Sequence, residues 1–178
     1  GDVRIISICT DFESGGNAPN QTWLDSVLAT SASFEHVFIF SPRPVQFSTA
    51  EWTGGSGGPF WQSMVQNDVT GYFSGHWHRY QPDQIGAGGD TWEVLIGTGG
   101  GWQGFQPIRP YQQVPGFFLV EVDGTEVTGT FYADGDGDGS YDDALDTFVI
   151  SQLAPMPVGL VAEYNFESGD AADTAGPP

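Results

Sequence analysis

The chain has no lysine. Its basic residues are four arginines against 23 acidic residues, and the formal net charge is −19 over 178 residues. So few cations exclude binding that depends on neutralising phosphates, and nucleic acid is not an expected partner. Anionic membrane surfaces are disfavoured for the same reason. Cysteine is nearly absent: Cys9 stands alone, so no internal disulfide can form. It closes the apolar run Ile5-Ile6-Ser7-Ile8-Cys9, which predicts a buried, inert thiol. No apolar run nears the ~18 residues of a membrane-spanning helix. No secretory leader is visible, and an internal starting point would make that silent about secretion.

What is present supports a packed core: 39% of residues are hydrophobic and 14% aromatic. The length suits one domain, or one domain plus a small piece. Val3–Thr10 reads as a buried strand. Asn20 is an N-cap for a helix over Gln21–Thr30, whose Trp23, Leu24, Val27 and Leu28 share one face. Val37–Phe40 is the next strand. Residues 46–58 are Gly- and Ser-rich loop, and Pro59 opens a helix through Asn67. Strands follow near 69–74, 91–96, 116–122 and 126–132. The Asp123-Gly124 pair marks a hairpin between the last two. Phe148–Ser151 reads as a final strand. Helices alternate with strands at first and then strands dominate, which predicts part of an α/β sandwich.

The tetrad Gly75-His76-Trp77-His78 holds two of the three histidines and follows the apolar strand ending at Ser74. Imidazole is the commonest side-chain metal ligand. Open α/β sheets bind ligands outside the carboxyl ends of their strands. His76 and His78 are therefore candidate metal ligands.

Gly75-His76-Trp77-His78-Arg79-Tyr80 resembles the last metal-binding motif of calcineurin-like metallophosphoesterases, the superfamily that includes purple acid phosphatases. Ordered partial matches accompany it: Gln21–Leu28, His36–Pro44, Phe60–Val69 and Val94–Gly101. The resemblance covers roughly residues 1–150 and implies an α/β fold, specifically the C-terminal half of a metallophosphoesterase sandwich. The family's Asp-x-His, Gly-Asp and Gly-Asn-His motifs do not occur. Asp11 lies in Thr10-Asp11-Phe12 with no following His. Where the family usually has a ligand His in a His-x-Pro loop, this chain has Pro42, in Pro42-Arg43-Pro44. The resemblance implies a centre of two divalent ions and a phosphoester substrate. His76 and His78 would be ligands, and no catalytic residue falls within the chain.

A second candidate site is Asp134-Gly135-Asp136-Gly137-Asp138-Gly139-Ser140-Tyr141-Asp142. Asp134, Asp136, Asp138 and Asp142 fall at positions one, three, five and nine of a calcium loop, where carboxylate oxygens surround a hard cation. Position twelve is Leu145, where a bidentate Glu belongs, and Asp146 comes one residue late.

Composition shifts after residue 152. Residues 153–158 read as a linker, and 159–178 resemble the opening strand of a laminin-G or concanavalin A-like domain, carried by Gly159-Leu160-Val161-Ala162-Glu163-Tyr164-Asn165-Phe166-Glu167. No serine has an adjacent His base, and Gly97–Gly101 has no following Lys-Ser or Lys-Thr, so a P-loop is not expected. His36, at a strand start, reads as a packing or surface residue. Together these features predict a secreted (extracellular or periplasmic) metallophosphoesterase represented by its C-terminal portion. The alternative is a noncatalytic extracellular module for calcium binding or adhesion, with a degenerate phosphoesterase fold.

Overall fold

The computed structural model describes residues 3–9, 20–45, 55–84, 91–99 and 114–152. The expected linker, the lectin-like segment, Asp11 and most of the Gly- and Ser-rich loop lie outside these residues.

Two sheets, two α-helices and a short 3-10 helix at Gly55–Gly57 make the described part. Sheet A contains β1 (Val3–Ser7), β2 (His36–Ser41), β3 (Gly71–Ser74), β4 (Tyr80–Gln84) and β5 (Trp92–Ile96), in the order β1-β2-β3-β5-β4. The first four in that order run parallel, and β4 pairs antiparallel with β5 at the edge. Sheet B is an antiparallel meander of β6 (Gly116–Asp123), β7 (Glu126–Ala133) and β8 (Asp143–Gln152). The Asp123-Gly124 hairpin forms as its turn chemistry requires, with Gly124 at φ 58°.

Helices α1 (Gln21–Leu28) and α2 (Pro59–Gln66) cover one face of sheet A. The Asn20 side chain accepts the Trp23 N–H at 3.0 Å, and Pro59 opens α2. Leu24 and Leu28 are fully buried, and they pack with Ile6, Ile39, Phe60, Trp61, Met64 and Tyr72. Trp23 departs from the expected stripe and is exposed, because it sits at the margin of the apolar face. Sheet B covers the other face through Phe118, Phe131 and Phe148. Phe131 stacks on Tyr80 at 4.0 Å and 3°, and Phe148 on Trp92 at 4.4 Å.

His36 ties the two sheets together. It is fully buried at the start of β2, and its Nε2–H donates to the Gly124 carbonyl at 2.9 Å. It is a packing residue. Cys9 corrects the expectation of burial: it lies beyond the end of β1 and is exposed, although Ile6 and Ile8 before it are buried. β4 was not expected, and β8 begins five residues earlier than the Phe148–Ser151 pattern indicates.

Candidate functional site

β3 ends at Ser74, and the chain then crosses the end of β5 to reach the far edge as β4. The crossing is the segment that carries the two histidines. Within it the Trp77 N–H donates to the Gly75 carbonyl at 2.9 Å, and the Arg79 N–H donates to the Trp77 carbonyl at 2.7 Å. Bonds of this i to i+2 kind define γ-turns, so His76 and His78 sit at the centres of two successive ones. His76 has φ 72°, in the left-handed region that non-glycine residues seldom occupy. Such backbone persists only where the surroundings hold it, and it concentrates at functional sites.

Gly97, at the end of β5, supplies the hold. Its N–H donates to the Arg79 carbonyl at 3.1 Å, and a Cβ on Gly97 would overlap the Trp77 carbonyl. Only glycine lets the strand end and the turn approach this closely. The Arg79 guanidinium lies 4.7 Å over the Trp77 ring, and burial pulls its pKa below the usual arginine value. His76 is exposed and His78 half-buried.

The carboxyl ends of β1, β2, β3 and β5 open on a cleft of about 480 Å³. Its described lining includes Cys9, Phe40, Ser41, Pro42, Ser74 and Gly75, with no carboxylate and no imidazole. Pro42 lies beside the histidine turn: a Cβ on Gly75 would be 3.8 Å from the Pro42 carbonyl oxygen. Two buried side chains fasten the loop that carries Pro42. The Tyr72 hydroxyl donates to the Arg43 carbonyl at 2.6 Å, and the Glu93 carboxylate accepts the Val45 N–H at 2.6 Å. Tyr72 and Glu93 are register partners on β3 and β5, and both are fully buried. Burial, opposed in part by a hydrogen bond with Ser41 and aided by the Glu93 charge, raises the Tyr72 pKa far above the usual tyrosine value. Tyr72 and Glu93 did not stand out as site residues in the sequence. The signal for Glu93 was there: it is the one acid inside the apolar strand Trp92–Ile96.

The fit to a metal is partial. His76 and His78 offer two imidazole donors on one turn. Among the described residues, no third imidazole, thiol or carboxylate completes a three-donor set with them. With Pro42 at the neighbouring rim, the described residues do not fit a dinuclear centre.

A three-donor set does form in the acidic loop between β7 and β8. Carboxylate oxygens of Asp134, Asp136 and Asp138 lie within 4.8 Å of one another. Asp134 accepts the Gly137 and Gly139 N–H groups at 2.8 and 3.2 Å, and Asp143 accepts those of Gly135 and Asp136. Asp142 is exposed and outside the set. Leu145, at the position of the twelfth ligand, belongs to β8 and packs on the core between the sheets. The loop is therefore a hairpin connection whose end is strand, not helix.

No family profile and no curated protein matches the chain. Solved structures do. GAP50, described as the anchor in the inner membrane complex of Plasmodium, superposes with a TM-score of 0.63 at 15% identity, over 86% of this chain and 50% of that one. The purple acid phosphatase PPD1 from yellow lupin seeds superposes with a TM-score of 0.61 at 17% identity, over 84% of this chain and 31% of that one. The chain has a metallophosphoesterase-like α/β fold. It spans half the length of the first neighbour and under a third of the second.

Proposed function

We propose that the parent protein hydrolyses phosphoesters with divalent metal, and that this stretch contributes His76 and His78 as ligands. The observation that carries the reading is the pinned double turn, which fixes both histidines at the strand ends where such sheets bind ligands. A bound divalent ion would supply Lewis-acid polarisation of a phosphoryl oxygen. With net charge −19, such a cation also offsets the repulsion of an anionic substrate. Within the chain, Gly97 holds the turn, and Tyr72 and Glu93 hold the loop opposite. Other ligands and the catalytic groups come from outside the described residues.

Pro42 favours a second reading, a noncatalytic secreted module whose acidic loop binds calcium. Metal analysis and p-nitrophenyl phosphate turnover of the parent protein separate the two. The first reading expects turnover and a bound divalent metal, both lost in His76→Ala and His78→Ala. Full activity in both variants would overturn it. Absent activity with calcium bound through the acidic loop would establish the second reading. Residues 1–178 alone are expected to show no turnover.

A further inference from the structure

The cleft beside the histidine turn carries no charged side chain on its described lining. Its walls are Ile8, Cys9, Phe40, Pro42, Phe73 and Ile96, and its polar side chains are serine hydroxyls. Small-molecule sites have this character, mostly apolar with a few placed polar groups. Phe40 forms a ledge in it. The residue is 40% exposed, and its ring stacks on Phe73 with centroids 5.1 Å apart at 24°. Phe73 is buried, so the core between the sheets backs the ledge.

Ser74, the last residue of β3, lines the same cleft at 3% exposure. Its hydroxyl has no hydrogen-bond partner among the described residues. Buried hydroxyls are nearly always paired. An unpaired one in a cleft wall points to a polar atom of a ligand. Gly75 follows in the lining and leads directly into His76. The apolar wall and the candidate metal ligands are therefore contiguous.

We propose that this cleft holds the alcohol part of the phosphoester, and that this alcohol is apolar, with an aromatic ring seated on Phe40. The inference rests on the phosphoesterase reading above and names its substrate class. The reaction is hydrolysis: water adds to phosphorus, the ester P–O bond breaks, and the alcohol leaves carrying a proton from that water. Two observations disfavour polar substrates. A sugar or polyol ester would bury several hydroxyls against a wall with few partners for them, and each unpaired one is costly. A polyphosphorylated substrate would bring further anionic groups to a chain of net charge −19 with no lysine.

The test compares phenethyl phosphate with the primary phosphate ester of glycerol in the parent protein. Both are primary alkyl esters, so leaving-group chemistry does not set the ratio. kcat/KM should favour the phenethyl ester by about tenfold or more, as apolar pockets discriminate. Phe40→Ala should narrow that preference, chiefly by raising KM for the phenethyl ester. Equal kcat/KM for the two esters, or a preference unchanged in Phe40→Ala, overturns the inference and leaves the phosphoesterase reading standing. Cys9 gives a readout that needs no turnover, because it is exposed and lines the cleft. Its alkylation by iodoacetamide, followed at the Cys9 peptide, should slow severalfold with phenethyl phosphate and not with the glycerol ester. Protection without turnover keeps the ligand class and overturns the hydrolytic reading. A Cys9 that neither ester protects, or that does not react because another part of the polypeptide fills the cleft, overturns the proposal.

Discussion

The carbonyl of Trp77 occupies the space where a side chain on Gly97 would begin. The histidine turn and the end of β5 are therefore one packed unit, and the geometry of His76 and His78 depends on a residue that bears no functional group.

Gly97→Ala should cost about 1–3 kcal/mol, in the range of overpacked sites. It should also move the imidazole resonances of His76 and His78. Loss of stability with those resonances unchanged would show that the turn is held by something other than Gly97.

Tyr72 gives a pH dependence. Its folded-state pKa lies above the unfolded value of about 10, because burial disfavours the phenolate. Below pH 10 the phenol is protonated in both states and the contribution is full. Above it only the unfolded chain releases the proton, so stability falls as pH rises. Tyr72→Phe should flatten the decline in a urea-unfolding series between pH 9 and 11. It should also cost about 0.5–1.5 kcal/mol near neutrality by removing the hydrogen bond to the Arg43 carbonyl. An unchanged alkaline slope would refute the assignment.

The acidic loop should bind calcium weakly, in the ~10⁻⁴–10⁻³ M range of extracellular modules, because its twelfth ligand is missing. Calcium at tenfold excess over Kd should stabilise the fold by about 1.4 kcal/mol by mass action. An Asp136→Ala, Asp138→Ala double variant should lose the effect, and magnesium should substitute poorly. Calorimetry with no calcium heat at millimolar ion would leave the loop a solvated turn.

Phe131→Ala should destabilise by about 3–5 kcal/mol, since it removes the ring stacked on Tyr80 in the core between the sheets. Urea unfolding measures it. A cost below 1 kcal/mol would mean that sheet B contributes little to holding sheet A.

Punctuation and burial pattern made much of the fold legible. Asn20 and Pro59 mark the helix starts they form, and Asp123-Gly124 marks its hairpin. β4 was not legible because its polar residues and Pro82 resemble a loop, a resemblance that edge strands share. The early start of β8 was masked by Asp143 and Asp146. Asp143 caps the preceding loop, and Asp146 accepts from the Tyr80 hydroxyl at 3.1 Å. The Asp146 carboxylate serves a tertiary contact that local sequence does not display. At the candidate site the histidines are visible as residue types, but Gly97, Tyr72 and Glu93 act through contacts that only the sheet order creates.

That sheet order also sets a sequence of events. β4 follows β3 in the chain but has no place beside it, because β5, made last, lies between them. Until β5 inserts, β4 has no strand partner and the histidine turn has no Gly97 to rest on. Closing sheet A thus requires nonlocal pairing, which is slow relative to local structure. In refolding, the two imidazoles should reach their final geometry with the insertion of β5 rather than with the helices, making the histidine turn a late reporter of a completed sheet.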